Sequence, residues 1–239
     1  MMISRNRKSL ALLLDPDKTC GKKLDTVIGA AVSAGVDLIM AGGSLTFRPI
    51  EMLIDDIKTR CEIPVALFPG NLLQLTDKAD YIFLLSLISG RNPELLIGNH
   101  VIAAPFLSNI RHKVIPVGYI LIGIGSETSV TYMSQTEPIP ASKPEITVAT
   151  AIAGELLGMK LIYLEAGSGA KTAVSPATIS DVRRSTNLPL ITGGGLRSVE
   201  AISKAYNAGA DMVVVGNGVE DNPGLLIEAC LTRNSFNAD

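Results

Sequence analysis

Eight short apolar runs alternate with helix-like segments along the whole chain, and no other feature restricts the fold as strongly. The runs are Leu10–Leu14, Leu38–Met40, Val65–Phe68, Tyr81–Leu85, Val117–Leu121, Leu161–Leu164, Leu190–Thr192 and Met212–Val215. Most are apolar at every position, the pattern of parallel strands covered on both faces. Helical patterns separate them: Lys22–Ala34, Pro49–Thr59, Pro93–Ala104, Ile146–Leu157, Pro176–Ser185 and Val199–Ala208, with Pro223–Thr232 at the end. Several open on proline, which suits a first helical turn.

An internal echo points to one repeating unit. "AGVDLIMAGG" (Ala34–Gly43) resembles "AGADMVVVGN" (Ala208–Asn217): a helix ending at Gly, an Asp, a strand, then a glycine-containing loop. Eight such β/α units in 239 residues fit a single (β/α)8 TIM barrel spanning residues 1–239. The alternative is an open doubly wound sheet, which usually has fewer strands and often a glycine-rich first loop; here that loop is Asp-Pro-Asp-Lys. Only Pro69–Asp80 joins the third and fourth strands, too little for a full crossover helix, so the third helix is expected to be reduced or missing. Conversely, Ile122–Glu145 is long and rich in Ser, Thr and Pro, and on a barrel it lies at the catalytic end.

Composition narrows the class. Hydrophobic residues make up 47%, enough for a sizeable core, but aromatics only 4% with no Trp, so the core is aliphatic. Lys and Arg total 21 against 23 Asp and Glu, a net charge of −2 without a basic stripe, which argues against a nucleic-acid partner. Cys20, Cys61 and Cys230 have neither metal-site nor disulfide spacing, as expected in a reducing cytoplasm. Arg5, Arg7 and Lys8 precede an apolar run that stops at Asp15-Pro16-Asp17, too short for an export signal, and no segment has the length of a membrane span.

Barrel sites form where strands end. "TGGGL" (Gly193, Gly194, Gly195) and "VGNG" (Gly216, Asn217, Gly218) follow the seventh and eighth strands, where backbone amides can hold a phosphate; each read alone is equally a tight turn. Asp15 in "LLLDPDK" shares the inward face with Leu13 and suits Mg²⁺, although an Asp there also serves as a turn or cap residue, the role better suited to Asp17. Tyr163 and Glu165 in "YLEAGSG" face one side of the sixth strand. The small loop Gly167-Ser168-Gly169 leaves room for a ligand, so Glu165 is a candidate base or hydroxyl ligand rather than one half of a structural ion pair.

The ordered set "LLLDPDK", "AGGS", "FPG", "GYIL", "YLEAGSG", "GGGL" and "VGN" resembles the geranylgeranylglyceryl phosphate synthases and the related heptaprenylglyceryl phosphate synthases, nearest to the larger subgroup carrying "LLDPDK". The resemblance covers nearly the whole chain and implies a prenyltransferase of ether phospholipid biosynthesis on a barrel with a reduced third helix. Its reaction would join sn-glycerol 1-phosphate to geranylgeranyl diphosphate and release diphosphate. It implies Asp15 and Ser44 as Mg²⁺ ligands and Glu165 as the catalytic base. Tyr163, Leu164, Glu165, Ala166, Gly167, Ser168, Gly169, Gly194, Gly195, Gly216 and Asn217 would form the glycerol-phosphate site. It also implies a cytoplasmic homodimer or higher homo-oligomer, and its lipid product admits transient membrane contact. Candidate walls for a prenyl trench are Leu67, Phe68, Leu84, Leu85, Ala103 and Phe106, each equally an ordinary core residue. Two other classes remain open: a flavin-dependent barrel oxidoreductase and a non-catalytic phosphate-binding barrel.

Overall fold

The computed structural model describes residues 3–123, 128–216, 219 and 224–238. Eight parallel strands close into a barrel: β1 (Ser9–Leu14), β2 (Leu38–Ala41), β3 (Val65–Leu67), β4 (Tyr81–Leu87), β5 (Val114–Gly123), β7 (Leu161–Glu165), β8 (Leu190–Gly193) and β9 (Met212–Val215). Closure comes from the pairings β4–β5 and β1–β9, which leave no open edge, so the open-sheet alternative fails. All eight coincide with the apolar runs of the sequence to within a few residues at each end.

Alternation along the strands sorts their side chains. Ala11, Met40, Ala66, Phe83, Val117 and Ile191 point inward and fill the barrel, with Ile3 buried among them at its lower end. Leucine, isoleucine and valine on the other faces meet the surrounding helices: α1 (Gly21–Ala34), α2 (Ile50–Lys58), α3 (Asn99–Leu107), α5 (Pro144–Leu156), α6 (Pro176–Ser185), α7 (Val199–Asn207) and Gly224–Ser235.

The third crossover is as short as its length requires. Between β3 and β4 the described chain makes only one 3-10 turn, Leu72–Gln74, capped by the Asn71 side chain. The long segment after β5 forms regular structure in its described part, from Thr128 onward. It contains α4 (Ser129–Ser134), opened by a Thr128–Thr131 capping box, and the two-residue β6 (Ile139–Pro140), which extends beside β5.

The internal echo has a physical basis at the lower end. Asp37 and Asp211 each stand directly before a strand and accept the N–H of a neighbouring strand, from Leu10 at 2.9 Å and Leu190 at 2.8 Å. Each also meets a helix-borne arginine, Arg233 and Arg183 respectively. Asp80 repeats the device before β4, with the Val65 N–H at 2.8 Å and Lys58 at 2.7 Å. These carboxylates tie strand register to helix position.

Candidate active site

At the upper end the strands open into a cavity of about 730 Å³. Asp15, Ser44, Tyr163, Glu165, Ser168, Gly169, Gly194, Gly195 and Gly216 all line it, so the fold brings together candidates drawn from five strand ends. Leu164 does not join them: strand alternation turns its side chain into the outer apolar layer. Ala166 packs against that same layer, and Gly167 contributes its amide rather than a lining side chain. Asn217 lies outside the described residues.

Glu165 is only 5% exposed, and no ion pair reaches it among the described residues. Its Oε1 accepts the Gly167 N–H at 2.7 Å. Burial pushes the carboxyl up to about 7, against the opposing effects of that amide and the nearby Tyr163 hydroxyl. The hydroxyl lies in the field of Glu165 but falls short of a formed hydrogen bond, so it is a buried polar group without a partner. Beneath it, Phe68, Tyr119 and Tyr163 pack ring to ring with centroids 5.4–5.9 Å apart, an apolar floor that keeps the carboxylate out of bulk water.

The glycine loop after β8 must be glycine for reasons of shape. Gly194 has φ 79° and Gly195 φ 70°, backbone that side chains rarely tolerate. A Cβ on Gly194 would strike Glu165 Oε1 and the Gly167 backbone. The loop therefore packs directly on the carboxylate. Arg197, two residues on, also lines the cavity and reaches the Gly169 carbonyl at 3.4 Å.

Across the mouth, Asp15 Oδ1 accepts the Asp17 N–H at 3.0 Å, and Oδ2 lies 3.4 Å from the Lys18 ammonium. Asp17 is structural: its carboxylate accepts the Phe47 and Arg48 N–H groups, both at 2.8 Å, and holds the β2–α2 loop. Buried Gln74, from the turn that replaces a helix, accepts the Gly70 N–H and donates to the Gly43 carbonyl, each at 2.9 Å. It thereby fixes the loop that carries Ser44. Among the described residues no cluster of three His, Cys, Asp or Glu forms a metal cage. Asp15 and Ser44 supply hard oxygen donors beside Gly43, where a Cβ would come within 3.3 Å of Asp15 Oδ2. That set fits a cation such as Mg²⁺, which takes most of its ligands from water and phosphate.

The cavity continues as a trench past Leu72, Leu75, Leu84 and Ala103, beside the crossover that lacks a helix. Of the expected walls, Phe68, Leu84, Leu85 and Ala103 line it. Leu67 belongs to the outer core, and Phe106 lies on the exposed side of α3. Sequence reasoning missed Arg197, Gln74 and His100. The His100 Nε2 meets Ser86 Oγ at 2.9 Å while its other ring nitrogen is buried without a partner. Only "GGGLR" carried a usable signal, a cation immediately after a phosphate-type loop.

A carboxylate held near neutrality at the mouth of a closed parallel barrel marks the barrel enzymes. Comparison with known families then narrows the class: residues 1–233 match the PcrB family, and the chain belongs to it. It is 47% identical over 232 residues to the geranylgeranylglyceryl phosphate synthase of Spirosoma linguale, covering 97% of this chain and 93% of that one. It is 39% identical to the enzyme of that name from Korarchaeum cryptofilum, covering 92% and 91% of the two chains. The crystal structure of (S)-3-O-geranylgeranylglyceryl phosphate synthase from Thermoplasma acidophilum, in complex with the substrate sn-glycerol-1-phosphate, superposes with a TM-score of 0.90 at 31% identity, over 97% of this chain and 95% of that one.

Proposed function

We propose that this protein is a prenyltransferase that joins sn-glycerol 1-phosphate to geranylgeranyl diphosphate through an ether bond, in ether phospholipid biosynthesis. The observation that carries the reading is Glu165: a buried carboxylate that no ion pair among the described residues neutralises, its pKa pushed up to about 7, directly beneath the glycine loop after β8. Relatives of this name match over nearly the full chain, and one was solved with the glycerol phosphate.

The phosphate binds the backbone of Gly194 and Gly195, with Arg197 beside it, and this presents the glycerol hydroxyl to Glu165. The hydroxyl oxygen attacks the allylic carbon, the carbon–oxygen bond to diphosphate breaks, and the diphosphate leaves with the electron pair. Glu165 takes the hydroxyl proton as the ether bond forms. A base near pKa 7 is about half ionised at neutral pH and basic enough to accept a proton. Holding both reactants in one cavity turns an encounter into a near-intramolecular step. Asp15 and Ser44 would hold Mg²⁺, which when bound stabilises the charge on diphosphate. The apolar trench beside the short crossover takes the prenyl chain, and the Phe68–Tyr119–Tyr163 floor excludes water from the reacting end. We assign the enzyme to the cytoplasm as a homo-oligomer.

The test supplies the purified protein with sn-glycerol 1-phosphate, Mg²⁺ and prenyl diphosphates of several lengths, then analyses the extracted lipid. A prenylglyceryl phosphate that disappears when the metal is chelated is the expected product. Hydrolysis of the diphosphate without ether formation would overturn the reading, and a yellow protein that reduces a substrate would replace it with flavin chemistry.

A further inference from the structure

Among the described residues, two side chains that carry a full positive charge line the cavity, and they stand on different walls. Arg197 follows the glycine loop after β8, on the glycerol-phosphate side. Lys18 follows β1, on the opposite wall with Asp15 and Ser44. Its backbone is fixed there. The Asp15 carbonyl accepts the N–H groups of Lys18 and Thr19 at 3.1 and 3.0 Å, and the Asp15 carboxylate accepts that of Asp17 at 3.0 Å. This closed turn holds the stem of Lys18 at the mouth. The side chain itself is 46% exposed, so its ammonium, on four carbons, is free to change partner.

Its present partner is informative. The Lys18 Nζ lies 3.4 Å from Asp15 Oδ2, and that same oxygen faces Gly43, where an added Cβ would come within 3.3 Å of it. The ammonium therefore rests on the carboxylate oxygen that a metal shared with Ser44 would need. Two cations on one oxygen repel. With a metal on Oδ2 the ammonium must leave, and the anion that arrives with the metal is the diphosphate. Of the other carboxylates that line the cavity, Asp17 is occupied by two backbone amides, Glu165 accepts the Gly167 N–H and Glu94 stands before α3. None of them pairs with Lys18 among the described residues.

We propose that Lys18 is a further catalytic residue, which rests on Asp15 in the free enzyme and moves to the diphosphate of the prenyl donor when Asp15 takes up the metal. There it donates N–H bonds to phosphoryl oxygens whose charge grows as the carbon–oxygen bond breaks and the electron pair leaves with diphosphate. The proposal rests on the prenyl-transfer reading. It makes Lys18 act with opposite sign on two binding events. Metal alone must displace the ammonium and gives it no new partner, whereas metal with diphosphate supplies one.

The test compares wild type, Lys18→Met and Lys18→Arg. Mn²⁺, a paramagnetic substitute for Mg²⁺ with the same preference for oxygen ligands, is titrated alone by electron paramagnetic resonance. Inorganic diphosphate with Mg²⁺ is titrated by calorimetry. In Lys18→Met, Mn²⁺ alone should bind about threefold more tightly, since a half-exposed competitor has gone. Magnesium diphosphate should bind at least about tenfold more weakly. With geranylgeranyl diphosphate kcat should fall about 10²-fold, while affinity for glycerol phosphate holds. Lys18→Arg keeps the charge and should restore diphosphate affinity to within about threefold of wild type. A lysine that only held the turn together would weaken metal, diphosphate and glycerol phosphate alike, and that result overturns the proposal. So does a Lys18→Met protein that binds diphosphate as wild type does. Binding is read without turnover and the lipid product of wild type is read separately, so failure of the lysine and failure of prenyl transfer appear in different assays.

Discussion

Each end of the barrel buries a carboxylate, and the two are treated in opposite ways. Asp211 at the lower end is 2% exposed and Glu165 at the upper end 5%. Burial pushes both carboxyl groups above their ordinary range. Asp211 is surrounded by compensation: Arg183 at 2.9 Å, Lys8 at 3.8 Å and the Leu190 N–H at 2.8 Å. Glu165 has one amide and a tyrosine hydroxyl that does not close a hydrogen bond. A neutralised carboxylate holds strands and helices in register. An unneutralised one costs stability but keeps its basicity, and it stands where a substrate can use it.

The sharpest way to break this comparison is Glu165→Gln. The amide preserves size but is a negligible base, so kcat should fall by about 10²–10⁴-fold with a smaller change in KM. Steady-state kinetics alongside thermal melting decides the matter: unchanged kcat in the folded variant removes the base role, and a collapse of melting temperature would make Glu165 a structural group like Asp211. The complementary change, Asp211→Asn, leaves the half-buried Arg183 without its nearest counter-charge. Unfolding in urea should show a loss of about 3–5 kcal/mol, with kcat of the folded enzyme intact.

A pH series separates the ends without mutating the chain. The Glu165 carboxyl binds its proton more tightly folded than unfolded, so its contribution to stability is present at low pH. That contribution is lost as pH rises from the ordinary carboxylate range through about 7. The shift corresponds to about 3 kcal/mol. Glu165→Gln should therefore melt progressively higher than wild type as the solution is made alkaline, while wild-type kcat rises through the same interval. A melting difference independent of pH would mean that the carboxylate is already ionised well below neutrality. Gly194→Val puts a side chain on a φ of 79° and against the Gly167 backbone, so it should lower the melting temperature as well as weaken the site. Loss of backbone approach should raise KM for glycerol phosphate about tenfold. Because the new Cβ also strikes Glu165, kcat should drop as well, and an unchanged KM would place the phosphate elsewhere.

The barrel was legible because parallel strands covered on both sides leave continuous apolar runs, and the glycine loops and Glu165 were legible because they occupy strand ends. Alternation placed Tyr163 and Glu165 on one face correctly, but the same rule, applied to Leu164, takes that side chain out of the cavity. The helix Ser129–Ser134 escaped notice because six residues carry too little periodicity to register. Gln74 and His100 escaped for a different reason. Their roles depend on groups tens of positions away or on a neighbouring strand, and a polar residue within a short apolar turn gives no local sign of what it will meet.

The short crossover leaves the barrel with a seam. β3 is three residues long and pairs with β4 at only two positions, Ala66 with Tyr81 and Leu67 with Ile82, in the part of the wall that no full helix covers. Cooperative units with few covering contacts open first, and their amides exchange with solvent soonest. The trench runs along this seam, so an apolar chain lying in it would serve as the missing cover. Amide protection in β3 and β4 should then rise on binding a prenyl diphosphate more than anywhere else in the wall, and the enzyme would be most completely folded only while it holds its donor.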